Sequence, residues 1–126
     1  MILLMKVGGN ARDQIHLSSF AMLVLLISLQ PDDWIAVDMG STWYPGQFVE
    51  FDSEQEELQV NFLQRSLSNP KWFVWPLLQV NGEEDKAWVT EISVFYRLNI
   101  PTEGRRETLI FENYDEVDKA FNEIQS

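Results

Sequence analysis

The sequence predicts a mainly β fold, a small barrel of about five strands with a C-terminal α-helix and an N-terminal apolar helical extension. Three observations carry this expectation. From Trp34 to Leu63, branched and aromatic residues recur at every second position, the period of a half-buried strand. All five Trp lie between positions 34 and 88 of a chain that is 45% hydrophobic and 13% aromatic, which marks that span as packed. Beyond Asn113 the period lengthens to that of a helix. With 126 residues the chain suits one domain around one core.

Residues 1–30 differ from the body, because Lys6 and Arg12 stand against a single acid, Asp13, and the run Phe20 to Leu29 is apolar. Even counted from Ile15, this run of about fifteen residues falls short of the roughly 18 to 20 that a membrane helix requires, so no membrane span is expected. It reads as a helix from about Asp13 to Leu29 that lies on the domain or upstream of it. With Lys6 and Arg12 as its positive flank, it also has the length of a signal-peptide core, although Ser28-Leu29-Gln30 is a poor cleavage site. Pro31, followed by Asp32 and Asp33, disfavours helix at the residue before it. The expected division is therefore an extension over 1–30 and a domain over 31–126.

Trp34-Ile35-Ala36-Val37-Asp38 reads as a first strand with Ile35 and Val37 inward, and Met39-Gly40-Ser41 as a turn. Pro45 and Gly46 place an edge position or a bulge early in the second strand, Thr42 to Phe51. Asp52 to Glu57 forms an acidic hairpin loop. In the third strand, Leu58 to Leu63, Leu58, Val60 and Phe62 point one way, and Gln59 and Asn61 the other. Arg65 to Pro70 is a polar loop, and Lys71 to Pro76 a short aromatic strand closed by proline. A turn over Asn81 to Asp85 leads into one or two β segments from Ala87 to Ile100. Gly104-Arg105-Arg106 then turns the chain into a strand over Glu107 to Phe111. Asn113, with Glu116 three residues on, predicts a capping box. The helix it opens carries Val117, Ala120, Phe121 and Ile124 as one apolar stripe packed on the barrel.

Composition narrows the chemistry. The absence of Cys removes disulfides, thiolate metal sites and Cys nucleophiles. His16 is the only histidine, so a Ser-His-Asp triad or a multi-His metal site would have to be assembled around one residue in an apolar stretch. A net charge of -11, from 20 acids against 9 bases, repels phosphate backbones and attracts cationic partners, which disfavours direct nucleic-acid binding. The turn acids, Asp52, Glu54, Glu56, Glu57, Glu83, Glu84 and Asp85, lack the alternating ligands and central Gly of an EF-hand loop. Acids are also too numerous to single out a catalytic pair. No catalytic residue, metal or cofactor is expected, and the acids read as solvated turns or as a negative rim that draws Arg- or Lys-rich segments.

Short bent strands joined by acidic turns resemble a small SH3-like barrel, a fold that hosts many functions. More specifically, Thr42-Trp43-Tyr44-Pro45-Gly46-Gln47-Phe48, the acidic turn and Leu58-Gln59-Val60-Asn61-Phe62 resemble a Tudor domain of the survival-motor-neuron type, over residues 34–66. In that family a Tyr-Pro and an aromatic residue eighteen positions later help to cage methylated arginine, and Tyr44 and Phe62 stand at that spacing. The resemblance implies a non-enzymatic, nuclear or cytoplasmic reader of basic or methylated Arg/Lys segments. Tyr44 and Phe62 would be cage walls, Trp43 and Trp72 part of the same aromatic surface, and Asp52, Glu54 and Glu56 the acidic rim. The two remaining cage positions fall on Val37 and Arg65, and a cation at Arg65 repels such a ligand. Lys71 to Pro76 and the C-terminal helix lie outside that pattern and resemble a barrel domain appended to transposase-derived animal proteins. Alternatives are an acidic nucleic-acid mimic, a scaffold domain of mobile-element origin without a ligand, and a secreted protein if residues 15–29 act as a signal-peptide core.

Overall fold

Side chains alternate along β1 (Trp34–Asp38), yet Ile35 and Val37 on one face and Ala36 on the other are all fully buried. A strand covered on both faces lies between two layers, and the architecture follows from that. The computed structural model describes residues 24–76 and 86–125. Around β1 an antiparallel five-stranded sheet is built from β2 (Trp43–Asp52), β3 (Glu57–Phe62), β6 (Lys86–Thr90) and β7 (Val94–Arg97), in the order β6-β3-β2-β1-β7. A second antiparallel sheet has the order β4-β5-β9-β8, from β4 (Gln64–Arg65), β5 (Trp72–Val74), β9 (Leu109–Ile110) and β8 (Thr102–Glu103). Residues 24–28 are helical (α1), and the long C-terminal helix is α2 (Tyr114–Gln125).

This is a mixed α/β fold with two separate open sheets, not the single closed barrel expected from the sequence, and the SH3-like and Tudor-like assignments fall with it. The cause is a change of pairing partner after β3. The next two strands pair with each other, Arg65 opposite Phe73, and β5 then pairs with β9, Trp72 opposite Ile110. They therefore leave the first sheet instead of extending and closing it.

Pro45 and Gly46 mark neither an edge nor an early bulge. Central in its sheet, β2 has Pro45 opposite Ala36, and the Pro45 carbonyl accepts the Leu63 N–H at 3.0 Å. A Cβ at Gly46 would stand 2.4 Å from Val60 Cγ1 and 2.9 Å from the Asn61 carbonyl oxygen, so glycine is what lets β3 approach this closely. The irregularity falls later, between Phe48 and Glu50. Gly40 takes a φ of +100° in the β1–β2 turn, where the Asp38 carboxylate accepts its N–H at 2.8 Å.

Two cores result. The first is aromatic and lies between the two sheets and α2, with Trp43, Phe73, Phe111 and Ala36 joined by Val117 and Phe121 of the helix. Ile124, expected in the same stripe, is 54% exposed. Nor is the capping box made. The Asn113 side chain accepts the Asn99 N–H and donates to the Arg97 carbonyl, while Glu116 accepts the Tyr96 hydroxyl. That bond, followed by burial, pushes the Tyr96 pKa up to about 12.

The second core is on the opposite face of β1 and is largely aliphatic, with Ile35, Val37, Leu58, Val60 and Val94 joined by Phe48 and Phe62. Leu25 and Leu26 pack against it and Leu29 is buried in it, so the described end of the N-terminal segment covers this core. Arg97 clasps that cover, donating to Asp33 at 2.8 Å and to the Ser28 hydroxyl at 2.7 Å.

The strand expected over Glu107 to Phe111 shortens to Leu109–Ile110, because Arg105–Glu107 form a 3-10 turn with Arg106 and Glu107 at positive φ. The expected turn over Asn81 to Asp85, with Glu83 and Glu84, and the extension upstream of residue 24, with His16, lie outside the described residues.

Candidate functional site

The β4–β5 pairing sets Arg65 directly opposite Phe73, and the two side chains share a face. That face meets the start of β2 and the first turn of α2. The Arg65 guanidinium carbon lies 5.1 Å from the ring centre of Phe73, 5.4 Å from Trp43, 5.5 Å from Tyr44 and 5.9 Å from Tyr114. Its terminal nitrogens donate four hydrogen bonds, to the Pro70 carbonyl (2.9 Å), the Tyr114 hydroxyl (3.2 Å), Thr42 Oγ1 (3.2 Å) and the Trp43 carbonyl (2.7 Å). All four acceptors are neutral. Cation–π attraction of roughly 0.5 to 2 kcal/mol per ring, with these bonds, holds the charge, and no carboxylate among the described residues pairs with it.

An aromatic cluster is therefore present, but its rings are not the expected set and the chain's own Arg65 lies against them. Of the residues expected at the cage, Trp43 and Tyr44 are brought together, and Phe62 is buried in the second core instead. Trp72 is one residue out of register, since alternation turns Phe73 into the box and Trp72 away from it. Phe73 and Tyr114 are walls that the sequence reading missed. Arg65, which it treated as an obstacle to a ligand, is the occupant. Directional contacts fix α2 beside the box: the Trp43 indole N–H donates to Asp118 at 3.0 Å, and Lys71 pairs with Asp115 at 3.0 Å. The Asp115 bond raises the Lys71 pKa above its ordinary value.

The acidic rim is elsewhere. Tyr44 and Asp52 stand near opposite ends of the ten-residue β2, roughly 25 Å apart along the extended chain. Asp52 closes its own turn by accepting the N–H groups of Glu54 (3.0 Å) and Gln55 (3.2 Å), and Glu54 and Glu56 project from the hairpin tip. The rim therefore borders a different surface, the outer face of β2, β3 and β6. Cross-strand register sets three rows there: Gln47–Asn61–Lys86, Glu50–Gln59–Trp88 and Asp52–Glu57–Thr90. Trp88 is 43% exposed in the middle row, between an amide row and an acidic row. Pro31, Asp32, Gln47, Val49, Asn61 and Lys86 line an open groove of about 300 Å³ beside it.

Among the described residues no group of three or more His, Asp or Glu is placed to hold a metal ion, and no helix is long and apolar enough to cross a membrane. Comparison with protein-family profiles, with curated proteins and with solved structures finds no match, so the reading of these surfaces rests on their geometry.

Proposed function

We propose that the protein is an interaction module that docks a basic segment of a partner protein on the outer face of β2, β3 and β6. The observation that carries this reading is the row Glu50–Gln59–Trp88, which sets an exposed indole on the edge strand next to the row Asp52–Glu57–Thr90. Lys and Arg side chains suit such a surface, because their alkyl stems lie along an aromatic face while their charged heads reach the carboxylates. The groove between Asp32 and Lys86 continues the strip. The net charge of -11 steers a cationic segment toward the domain. Methylation has no role in this reading, since the ring cage is filled by Arg65 and Trp88 offers a single ring.

The test is a titration with a Lys/Arg-rich peptide and a charge-neutral control, read by NMR. The basic peptide should bind with a Kd of roughly 10 to 1,000 μM, because a small, exposed surface must offset the cost of association. Raised salt should weaken binding, and Trp88→Ala should remove most of it while Trp75→Ala leaves it unchanged. Equal binding of both peptides, or a Trp88→Ala variant that binds as the parent does, would reject the surface.

A further inference from the structure

The Arg65 box does more than pack a side chain. We propose that Trp43, Tyr44, Phe73 and Tyr114, with the acceptors Thr42 Oγ1 and the Trp43 and Pro70 carbonyls, form a guanidinium-binding site that is occupied in cis by Arg65. Four features of the geometry support it. Trp43, Phe73 and Tyr114 form one contacting ring cluster within 5.9 Å of the guanidinium carbon, and Tyr44, which packs against the second core, adds a fourth ring at 5.5 Å. The two terminal nitrogens carry four N–H groups, and four acceptors meet them. Every acceptor is neutral, so recognition depends on shape and ring faces and not on a countercharge. An ammonium, a point charge with a single nitrogen, would leave at least one side of the site unmatched.

The walls come from separate parts of the chain: β2, β5, the start of α2 and the loop ending at Pro70. Occupancy therefore couples these elements, and emptying the site should loosen the seat of α2. It also separates this box from the acidic strip proposed for partner binding. In the native chain a partner's arginine enters the box only by displacing Arg65.

Arg65→Ala empties the site and Arg65→Lys fills it with the wrong cation. Both should lower the melting temperature by roughly 5 to 15 °C, with lysine failing to restore the parent value. Guanidinium or methylguanidinium at about 10 mM should raise the melting temperature of Arg65→Ala by roughly 2 to 5 °C while leaving the parent unchanged or lowered, as expected for a ligand that binds only the vacant folded site. Ammonium and sodium chlorides at equal ionic strength should give no such rescue. The same response of parent and variant to guanidinium would overturn the proposal, as would equal rescue by ammonium.

Should Arg65→Ala fail to fold, the parent chain decides through the arginine side-chain NMR spectrum. The Arg65 N–H protons, identified by their loss in Arg65→Lys, should be resolved, slowly rotating and shifted upfield by ring currents. Averaged signals like those of an exposed arginine would reject the site.

Discussion

The two cores on either face of β1 are built differently, and the difference shows which part of the molecule is specified by direction and which by adhesion. The aromatic core is lidded by α2, whose docking angle is set by named polar contacts: Trp43 to Asp118, Arg65 to Tyr114, Lys71 to Asp115 and Tyr96 to Glu116. Among the described residues the aliphatic core is covered by Leu25, Leu26 and Leu29, with Arg97 bonded to Asp33 and Ser28 and the Asp32–Asp33 backbone paired with Phe48 of β2. Apolar contact is roughly proportional to area and indifferent to angle, whereas hydrogen bonds and ring contacts fix orientation. Among the described residues the α2 lid is therefore fastened mainly through its own side chains, while the cover over the aliphatic core combines apolar contact with backbone pairing at Asp32 and Asp33.

The comparison breaks first at Trp43. The residue is fully buried, walls the Arg65 box and donates to Asp118. Trp43→Ala should cost about 3 to 5 kcal/mol from lost burial and the cavity left behind, with an added penalty for a cage short of one wall. Against a typical stability of roughly 5 to 15 kcal/mol, that should shift the urea midpoint strongly downward. Leu29→Ala should cost less, about 2 kcal/mol, because the site is at the margin of its core and water can enter the space. If the two substitutions shift the urea midpoint equally, the cover over the aliphatic core is as specific as α2 and the contrast fails.

How much of this was legible in the sequence follows the same contrast. The strands β1 and β3 were readable because Ile35 and Val37, and Leu58, Val60 and Phe62, alternate, and alternation is a local property. That Ala36 is also buried was not readable, since it depends on a second sheet whose pairing joins Trp72 to Ile110 across 38 residues. The same non-local pairing decided against closure of the barrel. At the box, Trp43 and Tyr44 were visible as neighbouring aromatics, but the choice between Trp72 and Phe73 turned on one residue of register. The signal for the occupant is the turn over Ser66 to Lys71, since a hairpin folded there sets Arg65 opposite Phe73. Tyr114 carried no such signal, because its place beside Arg65 is set by the docking of α2. Five residues of the aliphatic core, Ile35, Val37, Leu58, Val60 and Phe62, could be named from alternation, as could Val117 and Phe121 from the helix stripe, whereas the rest of both cores needed contacts between distant segments.

The smallest expected effect sharpens the comparison through pH. The Gln30 backbone N–H and then Arg97 hold the Asp33 carboxyl below its ordinary pKa, partly offset by desolvation. A carboxylate with a lowered folded pKa contributes stability that is present above its unfolded value of about 3.9 and is lost as pH falls through the folded value. The corner is partly exposed, so solvent screening limits its contribution to about 1 kcal/mol or less. On the α2 side the sign is opposite: the Tyr96 hydroxyl, pushed up to about 12 by its bond to Glu116, contributes stability below its unfolded value of about 10 that is lost as pH rises through the folded one. Acid should therefore loosen the α1 cover at Asp33, and alkali should loosen α2 at Tyr96. Hydrogen exchange at the Leu29 and Val117 amides separates the two, with Leu29 losing protection in acid and Val117 in alkali. Asp33→Asn should flatten the acid limb and leave the alkaline limb intact. If both amides open together at both extremes, the two lids form one cooperative unit, and the contrast between direction and adhesion does not extend to their dynamics.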